Sequence, residues 1–290
     1  MAQTARTIRL PEAGTLSAYI SEEEKYAVEE LTLSGPLNGT DFRLLRDMAG
    51  NDWQGNLTGG RLRLLDLTNA DIEEGGENYI ETHTIYIQEG NTISSSAGFI
   101  YTTGADTMPR WGFVGCNSLQ DIRLPESATA VGEYAFHVCE LSAVRLGNNL
   151  RSIGEYAFFR NIRIAELTLP ASLTEIGPRA FYACDDVREI RSYIEAPFVI
   201  PVNAFSVYDE AVLYVPTGSH AAYASTEAWD NFTQIKEFDP ATGILSTVLP
   251  AGDKAETEVY FLDGRRMTFR SGKLPKGISV VGGRKIVGRN

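Results

Sequence analysis

Apolar residues recur along the middle of this chain at a fixed long period. The dipeptide Ala-Phe occurs at Ala135-Phe136, Ala157-Phe158, Ala180-Phe181 and Ala204-Phe205, and Gly112-Phe113 opens the series. The five phenylalanines lie 23, 22, 23 and 24 residues apart. Within the first unit the pattern is Phe113-x-x-Cys116-x-x-Leu119-x-x-Ile122-x-Leu124-Pro125, followed by Val131-Gly132-x-x-Ala135. The second reads Phe136-x-x-Cys139-x-Leu141-x-x-Val144-x-Leu146, then Ile153-Gly154-x-x-Ala157. The third carries Phe158, Ile164, Leu167, Leu169-Pro170, Ile176-Gly177 and Ala180. A repeat of this length is one supersecondary unit that buries its apolar face only against its neighbours, so the units must stack. The alternation in Ile122-x-Leu124 predicts a short strand that points both residues inward. Proline ends that strand because it cannot donate a ladder hydrogen bond. The glycine before each Ala-Phe is expected to take a backbone angle that other residues resist. Phe136, Phe158 and Phe181 are expected to stack as an aromatic spine.

The flanks are less regular. Leu16, Tyr19 and Ile20 stand at helical spacing beside Glu22, Glu23 and Glu24, which predicts a short N-terminal helix within residues 1–30 that caps the first coil. Leu31-Thr32-Leu33 predicts a strand, and Pro36 with Asn38-Gly39 a turn. A helix follows through Phe42, Leu44, Leu45 and Met48, with Thr40 or Asp41 at its start and Gly50 at its end. Leu62 to Ile72 and Thr84 to Ile87 read as strands, and Ile93 and Phe99 as a diverged unit, so residues 31–112 form irregular repeats. Residues 113–238 form regular ones, about seven stacked units in all. Trp229 and Phe232 share a helical face and, with Tyr223, are assigned to a closing cap. A carbohydrate platform of Trp229 and Tyr223 is the sharper alternative. After a linker at Asp239-Pro240, residues 244–290 predict five short strands, with turns at Asp263-Gly264 and Gly282-Gly283.

The spacing L-x-x-I-x-L is the leucine-rich-repeat signature, and the full unit resembles the BspA-like class of bacterial leucine-rich repeats. The stretch from Leu31 to Met48 resembles the region that often precedes such repeats, and that from Leu213 to Ile235 their C-terminal end. The strands from Val259 to Met267 and Leu274 to Val287 resemble a small C-terminal β-module of secreted Bacteroidetes-type proteins. The resemblance implies an α/β repeat fold: a right-handed leucine-rich-repeat solenoid with short strands on one face and irregular or short helical turns on the other. It adds an N-terminal helical cap and a small C-terminal β-domain. It further implies a non-catalytic cell-surface or secreted protein that recognises a protein or glycan on a host or bacterial surface. The alternative is a structural scaffold or surface-assembly subunit acting through residues 244–290.

Charge adds to this picture. The net charge of −12 argues against general nucleic-acid binding. Residues 241–290 hold nine Lys/Arg and four Asp/Glu, a local +5, so residues 1–240 carry −17. This asymmetry marks the C-terminal stretch as a separate module. No apolar run reaches the roughly 18 residues of a membrane span, and Met1 to Arg6 shows no apolar signal segment. Cys116, Cys139 and Cys184 share one repeat position, with Asn161 in the third unit. They read as a buried ladder of small side chains rather than as a disulfide framework or metal site. His83, His137 and His220 are scattered, with His137 expected in a loop, and the acids from Asp71 to Glu81 read as a solvated loop. No nucleophile, paired-carboxylate, phosphate-loop or zinc pattern is present, so no catalytic residue, metal or cofactor is expected. The outward ladder positions Arg123, Arg145, Thr168 and Arg191 are the candidate contact stripe, since arginines are common interface anchors. Their plain alternative is a solvated row.

Overall fold

The computed structural model describes residues 4–81 and 100–241, together with the backbone of short strands at 85–86, 92–93 and within 244–288. The chain opens with β1 (Thr4–Arg9), β2 (Val28–Leu37), helix α1 (Gly39–Met48) and β3 (Leu64–Ile72). A short antiparallel pair follows, β4 (Ile85–Tyr86) with β5 (Thr92–Ile93). The regular units then contribute β6 (Thr107–Met108), β7 (Asp121–Arg123), β8 (Ala130–Val131), β9 (Ala143–Arg145) and β10 (Ser152–Ile153). They continue with β11 (Glu166–Leu169), β12 (Glu175–Ile176) and β13 (Glu189–Ser192), and the array closes with β14 (Val212–Pro216), helix α2 (His220–Tyr223) and β15 (Ile235–Asp239).

Nine of these strands repeat in parallel, one per turn, along the front of a β-solenoid. The first sheet runs β1-β2-β3-β7-β9 and the second β11-β13-β14-β15. A back sheet of two-residue strands, β12-β10-β8-β6, crosses the first boundary without interruption. Helix is scarce. Beyond β15, strand β16 (Ile244–Leu245) pairs with it antiparallel. Strands β17 (Thr257–Phe261), β18 (Arg266–Phe269), β19 (Gly277–Val281) and β20 (Arg284–Gly288) form an antiparallel sheet in the order β18-β17-β19-β20.

The period explains the packing. Phe113, Phe136, Phe158, Phe181 and Phe205 stack in a column with ring centroids 5.2–5.5 Å apart and planes within 8° of parallel. Each ring is at most 1% exposed. The cysteine position forms a second column with a defined task. Cys139 Sγ donates to Phe113 O (3.0 Å) and Cys184 Sγ to Phe158 O (3.2 Å), each reaching back one coil or more. Asn161 Nδ2 does the same for Phe136 O (2.8 Å) and also binds Phe158 O (2.9 Å). All three thiols are free and buried, and burial pushes Cys116 up to about 11 and Cys184 up to about 12.

Several expectations need correction. The N-terminal cap is not a helix: β1 pairs parallel with β2, and only Leu16–Ala18 forms a 3-10 turn. Leu16 and Ile20 are buried as their spacing suggested, but Asp41 accepts from the Leu16 (2.9 Å) and Gly14 (2.6 Å) amides and fixes a turn there. Glu24 folds back onto the Ser21 amide rather than starting a helix. The second face is a sheet, not helical turns, because equivalent residues of successive coils pair through their backbones. Among the described residues the coils number about nine rather than about seven, since β1, β14 and β15 each complete a turn. Strand β2 continues through Pro36 to Leu37, and α1 is capped by Asn38, whose Oδ1 accepts from the Thr40 amide (3.0 Å) while Asp41 Oδ2 accepts from the Asn38 amide (2.9 Å). Ile93 pairs antiparallel with Ile85, and Phe99, His83 and the turns at 263–264 and 282–283 lie outside the described residues.

The glycine preceding Ala-Phe is required by crowding and not by a positive φ. A Cβ on Gly154 would stand 2.7 Å from Glu133 N, and one on Gly177 2.6 Å from Glu155 N. Positive φ falls instead on non-glycine residues, among them Trp111 (62°), Tyr134 (57°), Tyr156 (54°) and Arg179 (55°). This conformation costs about 1–2 kcal/mol per residue. Stacking offsets it: Trp111 on Tyr134 at 4.0 Å, Tyr134 on Tyr156 at 4.9 Å, and Arg179 over the Tyr156 ring.

His137 is buried in this layer, not in a surface loop. Its ring is 1% exposed, lies flat on Phe159 (5.0 Å, 8°), and has no hydrogen-bond partner on either nitrogen. Burial, helped by the Arg160 charge, lowers it from 6.5 to about 4. In the unfolded chain the ring protonates below pH 6.5, which draws the equilibrium toward unfolding. The stability contributed by the neutral ring is therefore complete above pH 6.5 and is lost as pH falls toward 4, by about 3 kcal/mol. His137→Phe, which extends the Phe159–Tyr182 stack, is expected to stabilise the fold by about 1–3 kcal/mol at pH 7. It should also remove this share of the acid sensitivity. Urea titrations of both proteins at pH 7.5 and pH 4.5 measure it, and equal pH dependence would show that the buried imidazole carries none of it.

Candidate functional site: the outward strand face and its break

The strand register decides where the candidate stripe lies. Thr32 pairs with Asp66, Asp66 with Arg123, and Arg123 with Arg145 in the first sheet. Thr168 pairs with Arg191, Arg191 with Tyr214, and Tyr214 with Lys236 in the second. Arg123, Arg145, Thr168 and Arg191 thus occupy one outward row. A parallel outward row holds Asp121, Ala143, Glu166 and Glu189.

The four residues differ in how free they are. Arg123 Nη1 donates to Asp66 Oδ2 (2.9 Å) and is half-buried. Burial raises the Asp66 carboxyl, but hydrogen bonds from Thr68 and the charge of Arg123 outweigh it and hold that carboxyl below its usual range. Arg191 pairs with Glu189 (3.5 Å) and lies over the Tyr214 and Phe238 rings at 5.7 and 5.9 Å. Arg145 is exposed and makes no ion pair or hydrogen bond through its side chain among the described residues. Thr168 is exposed beside it on the next coil. The cationic stripe is therefore largely neutralised within the fold, and its free charge is concentrated at Arg145.

Arg145 also stands where the front sheet breaks. Strand β9 ends the first sheet and β11 begins the second, with no pairing between them. Elsewhere the front coils are laced by amides at the strand starts: Asp121 donates to Arg63 O (2.8 Å), Ala143 to Gln120 O (3.1 Å) and Arg188 to Ala165 O (2.9 Å). No such bond reaches Ser142 O among the described residues. A recess of about 600 Å³ opens there, lined by Ser142, Val144, Arg145, Leu146, Glu166 and Thr168 among others. Val144 and Leu146 are only half-buried, whereas their equivalents Ile122, Leu124, Leu167 and Leu169 are at most 2% exposed.

The coil that carries β9 is one residue short ahead of the break. Three units place two residues between the ladder position and the next apolar one: Cys116 to Leu119, Asn161 to Ile164 and Cys184 to Val187. In each, that apolar residue's amide closes a turn on the ladder carbonyl, at 3.2, 3.3 and 3.1 Å. Between Cys139 and Leu141 there is one residue, so this turn cannot form. The Leu141 amide donates instead to Asn161 Oδ1 of the next coil (3.2 Å). The 22-residue spacing from Phe136 to Phe158 is the trace of this missing residue in the sequence, and Asn161 supplies the acceptor that the Leu141 amide uses.

The aromatic platform weighed for sugars does not exist. Trp229 and Tyr223 are fully buried; Trp229 Nε1 donates to Phe198 O (2.7 Å), and the Tyr223 hydroxyl bonds Ser192 Oγ (2.7 Å) and Ile194 O (2.9 Å). They close the array over Phe205.

A family model for the BspA type leucine rich repeat region matches residues 93–209 in six copies, so the central coils are repeats of that type. The match ends before residues 244–290 and lends no support to the resemblance drawn for them. No curated protein matches the chain. Among solved structures, the crystal structure of the pneumococcal vaccine antigen PcpA is similar, with 17% identity and a TM-score of 0.37, over 74% of this chain and 60% of that one. The chain thus spans less than two thirds of that antigen. Among the described residues no helix is long and apolar enough to cross a membrane.

Proposed function

We propose that this is a non-catalytic binding protein of a cell surface or secreted fraction, which presents the front of its solenoid to a protein or glycan partner in adhesion or host interaction. The observation that supports it most is the outward strand row, in which Arg145, exposed and without an ion pair among the described residues, stands at the opening between β9 and β11. An extended repeat surface suits this use because each coil adds contact area without a new fold. A screen of the purified chain against arrayed matrix proteins and glycans, at low and high salt, tests the reading. A saturable hit is expected that weakens with salt and falls about tenfold in Arg145→Glu. Arg151→Glu, the same charge change beside β10, is expected to leave it intact. A hit indifferent to Arg145→Glu but lost on deleting residues 241–290 would transfer the function to the C-terminal strands.

A further inference from the structure

We propose that the break between β9 and β11 takes up an extended segment of a partner polypeptide as an added strand, with an acidic side chain of that segment set between Arg145 and Thr168. The proposal rests on the binding role above and specifies the form of its ligand. In a parallel ladder, alternate residues direct both N–H and C=O to the same neighbour. The Leu124 amide donates forward to Arg145 O (2.9 Å), and the Glu189 amide donates back to Ala165 O (3.4 Å). By the same alternation Val144 and Leu146 direct their backbone groups toward β11, and Glu166 and Thr168 toward β9. With no ladder between these strands, both edges of the break offer main-chain donors and acceptors, the usual template for strand addition. Entry widens the front of the break to two strand spacings, about 9–10 Å. Strands β10 and β12 stay paired behind it, Ser152 with Glu175 and Ile153 with Ile176, and act as the hinge.

The walls define the occupant. Its inward side chains would lie between Val144 and Leu167 and between Leu146 and Leu169, so they are apolar. One outward side chain lies between Ala143 and Glu166 and is basic. The other lies between Arg145 and Thr168 and is acidic. The fitting segment therefore alternates as basic, apolar, acidic, apolar.

The test uses the full chain and a fluorescein-labelled peptide, Thr-Lys-Val-Glu-Leu-Thr. Two companions are needed: the same peptide N-methylated at alternate residues, and one with lysine in place of its glutamate. Anisotropy should show saturable micromolar binding of the first peptide, weakened about tenfold by N-methylation and about tenfold by Arg145→Glu. The lysine peptide should recover affinity for the Arg145→Glu protein. Hydrogen exchange in the free chain should be faster at Leu146, Glu166 and Thr168 than at Leu124, Glu189 and Arg191, and should slow when the peptide binds. Equal binding of the N-methylated peptide, no binding of any peptide at millimolar concentration, or slow exchange at Leu146 and Glu166 in the free chain would each overturn the proposal. If array binding still depended on Arg145 in that event, the strand face would remain the contact surface and only strand addition would fall.

Discussion

Arg46→Met is expected to destabilise the solenoid by about 3–5 kcal/mol, because it removes three hydrogen bonds from a charged donor, worth about 1.5–3 kcal/mol each and partly relieved by relaxation, and leaves the Gly112 carbonyl with no donor among the described residues. Arg46 is on α1, yet it is completely buried. Its Nη1 donates to Trp111 O (3.1 Å) and Gly112 O (2.9 Å), and its Nη2 to Asp52 O (3.1 Å). These bonds tie the N-terminal coils to the first turn of the regular array across some 65 residues of sequence. Methionine keeps most of the volume but donates nothing, so the loss reports the hydrogen bonds rather than a cavity. Arg46→Lys retains the charge but not the fork and is expected to fall between the two. Equilibrium urea unfolding of the three proteins measures the order. A methionine variant as stable as the parent would mean that the Gly112 carbonyl finds water instead and that the other two carbonyls need only their backbone donors, Val114 N and Gly55 N.

Phe158→Ala is the second large effect, with an expected loss of about 3–5 kcal/mol. The ring is sandwiched by Phe136 and Phe181, each at 5.2 Å and nearly parallel, so its removal empties a layer that neighbouring coils cannot fill. The main chain cannot close the gap, because Phe158 N donates to Ala180 O (2.8 Å) and Phe136 N to Ala157 O (2.7 Å), which fix the coil spacing. In a one-dimensional array a weak coil also uncouples the coils on either side. The variant is therefore expected to unfold less cooperatively, with circular dichroism and tryptophan fluorescence no longer coincident. Coincident transitions and a loss under 1 kcal/mol would show that the column adds little to coupling.

What was legible in the sequence depended on whether the signal was carried by side-chain period. The phenylalanine column, the cysteine ladder and the outward row all follow from alternation and a near-constant repeat, and these the chain states directly. The front strand β1 was not legible, because Thr4–Arg9 offers one buried aliphatic residue, Ile8, and its pairing is supplied by β2. The back sheet was not legible either, since its strands are two residues long and owe their pairing to stacked equivalent positions. Arg46 reads as an ordinary exposed helix cation until the turn at Trp111 closes over it. The break after β9 was not legible: the coil that carries β9 is one residue short, a spacing difference with no residue type to mark it, and the missing pairing is visible only in the structure. For the candidate site, residue positions were legible but their availability was not: Asp66 and Glu189 neutralise Arg123 and Arg191 through register and rotamer.

The most direct test of the central claim is a hydrogen-exchange footprint of the chain with a partner identified on the arrays. Protection is expected to be confined to front segments, residues 121–124, 143–146 and 166–169, with the back strands at 130–131, 152–153 and 175–176 unchanged. Protection over the back strands, or over residues 244–290 alone, would contradict it.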